Sequence, residues 1–400
     1  MNSPAALSQS VSNQRRWIVL GNPNNRRTTL FQAALREFRQ PAAHVVSYLD
    51  LLRRELDLAE TLAQFAGDEP CVLRIESPGE DPDVERQLIA RGDVEGGISR
   101  VVALRLRIDR GRVRHVRQWF AGFSALLEEV EQAIQSCTGI TVQNHPSAIR
   151  LLFDKPRCHK FLADRGVPVP RSLPTITNYD ALRETMRAVG WSRVFVKLAW
   201  GSSSSGVVAF STVGARPLAI TSLELVWRRG EARFYNNLQL SHYHRERDLR
   251  AIFDFLGREG VHVEQWLPKA KQGDCGFDLR VVTFAGKACH TVVRTSRTPM
   301  TNLHLGNRRG DLSLLRQAAG SRWGTVPDIC EQAAREFSDA LYVGWDVLVT
   351  PGFRQAVILE GNAFGDLLPN LMHAGLSTHG QGIAEVLRGS GCREDILNDP

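Results

Sequence analysis

Gly344-Trp-Asp-Val-Leu-Val-Thr-Pro-Gly-Phe-Arg-Gln-Ala-Val-Ile-Leu-Glu-Gly-Asn362 reads as two apolar runs around a Pro351-Gly352 turn, the pattern of a β-hairpin. One run carries Asp346 and the other Glu360. With the turn centred near Phe353 the two carboxylates lie directly opposite each other, Cβ atoms about 5 Å apart. Like charges so placed repel, and a cation between them would remove the penalty. Asn362, two residues past Glu360, shares its face of the strand. Two carboxylates and an amide oxygen are hard ligands suited to Mg²⁺. A solvated outer hairpin face with scattered polar residues gives the same pattern, so the hairpin alone leaves both readings open.

A chain of 400 residues, 43% apolar and 23% charged, can bury a large core and divide into two or three domains. No apolar run approaches the roughly 20 residues of a membrane span. Residues 1–14 are polar and small, without the apolar core of a signal peptide; a disordered lead-in and a cytoplasmic protein are expected. The seven cysteines form no CxxC pair and are expected as reduced, mostly buried thiols. A formal charge of +7 would suit nucleic acid or an anionic small molecule. The basic residues are spread along the chain without one long run, which argues against nucleic acid. Only six lysines stand against 44 arginines. A retained lysine marks a place for a compact point charge, which directs attention to Lys155 and Lys197.

Patterning predicts a strand at Trp17–Leu20, a helix from Thr28 to about Arg39, and strands at His44–Leu49 and Cys71–Ile75. A helix over Phe120–Ile134 and a strand at Ile140–Val142 complete a Rossmann-like α/β unit over 15–145. It lacks G-x-G-x-x-G after its first strand, which argues against a dinucleotide. A second unit starts near Pro146 with a helix over Ser147–Gly166, broken by the prolines that follow. Strands are predicted at Val194–Leu198, Val261–Leu267, Leu279–Phe284, His290–Arg294, Gly344–Val349 and Ala356–Glu360. Helices are predicted over Arg247–Leu256 and Asp328–Leu341. Gly230–His244 has no assignment.

The Lys197 strand runs into Gly201-Ser202-Ser203-Ser204-Ser205-Gly206, whose backbone N–H groups and hydroxyls suit phosphate oxygens. Val207-Val208 stand where a Walker A loop has Lys and Ser/Thr, so this is not a P-loop. A surface turn beside an exposed lysine is the plain alternative. Glu264, near a strand end, is placed to read an adenine amino group or to be an ordinary edge-strand glutamate. Asp278 and Arg280 share a strand face, as a salt-bridge pair would. Arg294 and Arg297 suit phosphate or carboxylate. Asn302 and His304 lie in a polar loop that a solvated connection would equally explain. Asn22 and Arg26 stand at a helix N-terminus that could bind an anion, or in an ordinary strand–helix turn.

In order and type these elements resemble the ATP-grasp superfamily, especially its branch of glutathione synthetases and ribosomal-protein glutamate ligases, over about 145–372. The resemblance implies an α/β chain, α+β in its C-terminal part. A Rossmann-like pre-ATP-grasp domain would span 15–145, a small subdomain 146–209, a C-terminal subdomain 210–390 and a tail 391–400. It further implies ATP and one or two Mg²⁺, with Mn²⁺ as an alternative ion. Lys155 and Lys197 match the family's ATP lysines, and Gly201–Gly206 its glycine loop. Glu264 with the backbone of Trp266 and Leu267 matches the adenine hinge. Asp278 of the Asp278-Leu-Arg280 motif matches the ribose-side acid. Arg294 matches a phosphate-contacting arginine, and Asn302-Leu-His304 a loop of that branch. Asp346, Glu360 and Asn362 match the metal ligands. The implied activity is carboxylate–amine ligation through an acyl phosphate, with Arg294 and Lys197 acting on the phosphates. Small-molecule or peptide carboxylates and amines would be its partners, and a homodimer is common in this fold. A phosphotransferase or a non-catalytic nucleotide-binding regulator on the same scaffold are the alternatives. Ala363-Phe-Gly-Asp366 departs from the branch, and 211–260 matches none of its motifs.

Overall fold

The computed structural model describes residues 14–66, 70–201, 205–213, 217–364, 368 and 370–389. The expected lead-in (except Gln14), the tail and the Gly365-Asp366 departure lie outside them. Among the described residues no helix is long and apolar enough to cross a membrane. Cysteines 71, 137, 158 and 330 are buried free thiols.

The N-terminal unit is a parallel sheet of β1 (Arg16–Gly21), β2 (His44–Ser47), β3 (Cys71–Ile75) and β4 (Ile140–Val142), in the order β2-β1-β3-β4. Trp17, Ile18, Val19 and Leu20 are all buried, as a parallel strand covered on both faces requires. The helices Pro82–Arg91 and Val116–Gln135 pack backbone to backbone. A Cβ on Gly122 would stand 1.9 Å from the Leu88 carbonyl oxygen, so only glycine permits the approach. The strand predicted over His44–Leu49 stops at Ser47. The Ser47 hydroxyl accepts from the Leu49 and Asp50 N–H groups and starts the helix Tyr48–Arg53.

The second sheet is antiparallel, in the order β8-β7-β6-β5-β9. It comprises β5 (Arg193–Leu198), β6 (Val208–Ser211), β7 (Leu218–Arg228), β8 (Glu231–Tyr243) and β9 (Val261–Gln265). Gly230–His244, unassigned from sequence, is largely β8. Arg229 and Gly230 both have positive φ (50° and 83°), the two-residue hairpin turn that matches strand twist. The boundary expected at 209/210 falls inside β6, and one sheet continues through β9. This sheet keeps its own core, in which Val194, Val196, Phe210, Leu249, Phe253 and Leu256 pack together.

The third sheet has the order β13-β12-β11-β14-β15, with β10 paired to β11. Its strands are β10 (Lys271–Gln272), β11 (Cys275–Phe284), β12 (Lys287–Ser296), β13 (Arg308–Arg309), β14 (Tyr342–Val349) and β15 (Ala356–Asn362). It shares one core with the N-terminal sheet, in which Leu73, Phe123, Leu279, Trp345 and Val347 belong to a single cluster. A buried polar joint adds to it. The Arg74 guanidinium lies 4.7 Å from the Phe31 ring and 4.8 Å from that of Tyr342, and bonds Glu76 and Gln143 at 2.7 Å each. The helix predicted over Ser147–Gly166 is two helices, Pro146–Phe153 and Lys155–Asp164. Asp154 ends the first and caps the second, whose first turn holds Pro156.

Candidate functional site

All three units line one cavity of about 1100 Å³. Strands β11, β14 and β15 supply one side and β5 and β9 another. The outer wall comes from loops after β1 and β3 and from residues 106–114.

The hairpin predicted around Pro351-Gly352 forms, and its register pairs Asp346 with Glu360. Leu359 is the extra residue of a bulge beside that pair, and its carbonyl accepts from Lys197 Nζ at 3.4 Å. The repulsion expected between the acids is met by protein cations. Asp346 Oδ1 lies 2.5 Å from Arg280 Nε and 3.1 Å from an Arg294 Nη, while Glu360 lies 3.3 Å from Lys155 Nζ. Burial by itself raises the Asp346 carboxyl; Arg280 and Arg294 outweigh it and hold the group well below the usual carboxylate range.

Asp278 and Arg280 each have a partner on a neighbouring strand. The register sets Arg280 opposite Asp346, and Asp278 opposite Arg294. Cross-strand neighbours sit closer than same-strand ones on a shared face, so each residue pairs sideways. Asp278 accepts from Arg294 Nε at 2.8 Å, Lys269 Nζ at 3.1 Å and the Thr301 hydroxyl. Burial pulls the Lys269 ammonium down despite Asp278.

On β5 and β9, Lys197 Nζ lies 2.7 Å from Glu264, whose carboxylate also lies 3.2 Å from His262 Nε2. Burial by itself raises Glu264; Lys197 and His262 outweigh it and bring the carboxyl down to about 2. The acid expected at an adenine amino group is thus turned onto Lys197. Lys155 Nζ also donates to the Gly201 carbonyl. Gly201 and Ser205 line the cavity, Gly206 does not, and Ser202, Ser203 and Ser204 lie outside the described residues. Leu267 lines an apolar end with Phe195, Leu198 and Leu348. Trp266 does not line it: its ring packs against Phe195, and its backbone N–H reaches the Arg193 carbonyl at 3.4 Å.

Asn302, His304, Arg26 and Asn362 line the cavity. Asn22 does not. It is buried and donates to the Pro78 and Gly79 carbonyls at 3.2 and 3.0 Å, tying the loop after β1 to the loop after β3. Asn362 Nδ2 donates to the Gly344 carbonyl at 2.9 Å, which fixes the amide and leaves Oδ1 as a donor to a cation. Asp346, Glu360 and Asn362 therefore make an oxygen set that fits Mg²⁺. Sequence reading missed Lys269 and Thr301, and on the outer wall Arg107, Arg110, Arg112 and Arg114. The scarcity of lysine pointed as much to Lys269 as to Lys155. The arginines carried no comparable signal.

No protein-family model matches the chain, and no curated protein matches it. Solved structures do. The D-cycloserine synthetase DcsG superposes with a TM-score of 0.53 at 13% identity, covering 94% of this chain and 99% of that one. The ATP-grasp ligase PsnB, complexed with a phosphomimetic variant of its minimal precursor, Mg and ADP, gives 0.50 at 19% identity, covering 94% and 99%. The macrocyclase MdnC from Microcystis aeruginosa MRC, bound with precursor peptide MdnA, gives 0.51 at 12% identity, covering 94% and 100%. With the three sheets and the cavity between them, this likeness identifies the chain's architecture as the ATP-grasp fold.

Proposed function

We propose that this protein is an ATP- and Mg²⁺-dependent carboxylate–amine ligase. The observation that carries the reading is the opposed pair Asp346 and Glu360 at the cavity, ringed by Lys155, Lys197, Arg280 and Arg294. Four fixed cations around two acids suit a polyphosphate chain with its counter-ion. In this reading Lys155 and Lys197 neutralise the phosphates. Arg280 and Arg294 exchange Asp346 for phosphate oxygens, and Arg294 stabilises charge on the transferred phosphoryl group. Asp346, Glu360 and Asn362 Oδ1 would hold one or two Mg²⁺. Bound there, the ion would supply charge neutralisation at the phosphates. A substrate carboxylate oxygen attacks the γ-phosphorus and ADP leaves. An amine then attacks the acyl carbon and inorganic phosphate leaves. The likeness to DcsG, PsnB and MdnC, and the Mg and ADP held by PsnB, support the class.

Hydroxylamine tests it, because it traps an acyl phosphate as a hydroxamate but leaves a phosphorylated alcohol intact. ADP release and hydroxamate should appear together for the right carboxylate. ADP release coupled to a phosphorylated alcohol would establish the phosphotransferase instead. Separately, Mg²⁺ with a non-hydrolysable ATP analogue should raise the melting temperature. Asp346→Asn with Glu360→Gln should remove the rise; an unchanged rise sinks the metal assignment.

A further inference from the structure

Residues 106–114 line the outer wall of the cavity, and the segment leading into them starts at Arg100. The segment begins as the short helix Arg100–Leu104 and ends on β8, where Arg112 bridges to Tyr235. The Asn236 N–H donates to the Gly111 carbonyl at 2.7 Å, and the Val113 N–H to the Phe234 carbonyl at 2.9 Å. Arg114 donates to the Arg107 carbonyl at 2.8 Å and closes the turn between them. On this pinned backbone Val101, Val102, Leu104 and Ile108 are 58%, 50%, 38% and 62% exposed. Single exposed aliphatics are ordinary; four within eight residues of sequence stand out, and one of them, Ile108, lines the cavity. Arg107 and Arg110 line the cavity on either side of Ile108, and Arg26 lines it from the helix Arg26–Glu37. None of these three arginines pairs with a carboxylate among the described residues.

We propose that segment 100–114 is a docking surface for an acidic polypeptide. Its carboxylates pair with Arg26, Arg107 and Arg110, and its aliphatic side chains cover Val101, Val102, Leu104 and Ile108. That one of its carboxylates enters the cavity as the group to be ligated rests on the ligase reading; docking does not. Charge complementarity selects an anion, and the exposed aliphatic residues select a polypeptide over a small polycarboxylate, which would leave them in water. Nucleic acid fits poorly. The segment has no aromatic residue to stack a base, and Asp109 stands among its arginines.

The test is fluorescence anisotropy of the full chain with a short labelled peptide of Glu and Leu, without nucleotide. Saturable binding is expected, weakening with added salt. Arg107→Glu with Arg110→Glu should weaken it about tenfold or more, and Val102→Ser with Ile108→Ser by about threefold. All four side chains are exposed, and thermal melts check that both variants fold. A Lys/Leu peptide of equal length should not bind. The proposal is overturned if the acidic peptide does not bind saturably or if the variants bind it as wild type does. It is equally overturned if free glutamate or a single-stranded oligonucleotide displaces the peptide as well as unlabelled peptide does. If no hydroxamate forms while the peptide binds, the ligase reading falls and the docking surface stands; hydroxamate without peptide binding gives the reverse.

Discussion

At the inner end of the cavity Lys155, Lys197, Lys269, Arg280 and Arg294 stand among Glu264, Asp278, Asp346 and Glu360, and every one of these carboxylates touches a cation. On the outer wall seven arginines face three carboxylates, and Arg26, Arg107 and Arg110 touch none among the described residues. Burial explains the contrast. Lys197, Glu264, Asp278, Arg280 and Arg294 are each less than one-tenth exposed, where an unpaired charge costs several kcal/mol. The fold must match these charges even without a ligand, so the phosphate end is a balanced network that a nucleotide would rearrange. Arg26, Arg107 and Arg110 are exposed to water and carry no such requirement. Their uncompensated charge is free for a partner.

Four measurements break or sharpen this contrast. The largest effect belongs to Asp346→Asn with Glu360→Gln, which should lower ADP release by roughly 10³-fold or more. A loss under tenfold would detach these acids from the chemistry. Next, Lys197→Met leaves Glu264 buried with only His262, and urea unfolding should show a loss of about 3–5 kcal/mol near neutral pH. The sign follows from Glu264. Its folded value of about 2 lies below the unfolded value of about 4.3, so its contribution is complete above about pH 5 and lost as pH falls toward about 2. Wild type and variant should therefore converge in acid; a gap that persists at low pH places the loss elsewhere. Third, the Glu259 carboxylate accepts the N–H groups of His115, Val116 and Arg117 at 2.9, 2.7 and 3.3 Å, joining the central sheet unit to the N-terminal one. Glu259→Ala should cost about 1–2 kcal/mol in the same assay. The smallest effect is expected for Arg107→Ala with Arg110→Ala, which should move stability by less than about 0.5 kcal/mol. A larger loss would mean that these arginines hold the fold together.

Much of the inner site was legible because its chemistry is local. Asp346 and Glu360 are opposed by one turn, and Lys197 precedes its loop on a single strand. Such placements follow from strand periodicity and turn position. Partner choice was not legible. Asp278 and Arg280 looked like a pair because they share a face; the registers of β12 and β14 gave each a partner across the sheet as well. Glu264 faced Lys197 only once β5 and β9 were adjacent. His44–Leu49 was apolar enough for a strand throughout, and the Ser47 cap ended it. Asn22 was placed in the right turn, and Trp266 in a strand that ends one residue before it, but their own hydrogen bonds and packing turned them from the cavity.

By itself the sequence determined the order of the strands and helices, the hairpin with its two acids, and the residue types able to hold a phosphate chain. These depend on neighbours within a few residues, where backbone geometry sets which side chains share a face. Tertiary structure alone decided where the arginines gather. In the sequence Arg26 stands at a helix N-terminus, and Arg107 and Arg110 carried no assignment. In the fold the loop after β1 and the segment 106–114 line one cavity, so Arg26, Arg107 and Arg110 share it. Nothing local links them, because the parallel sheet and the bridge to β8 set that arrangement.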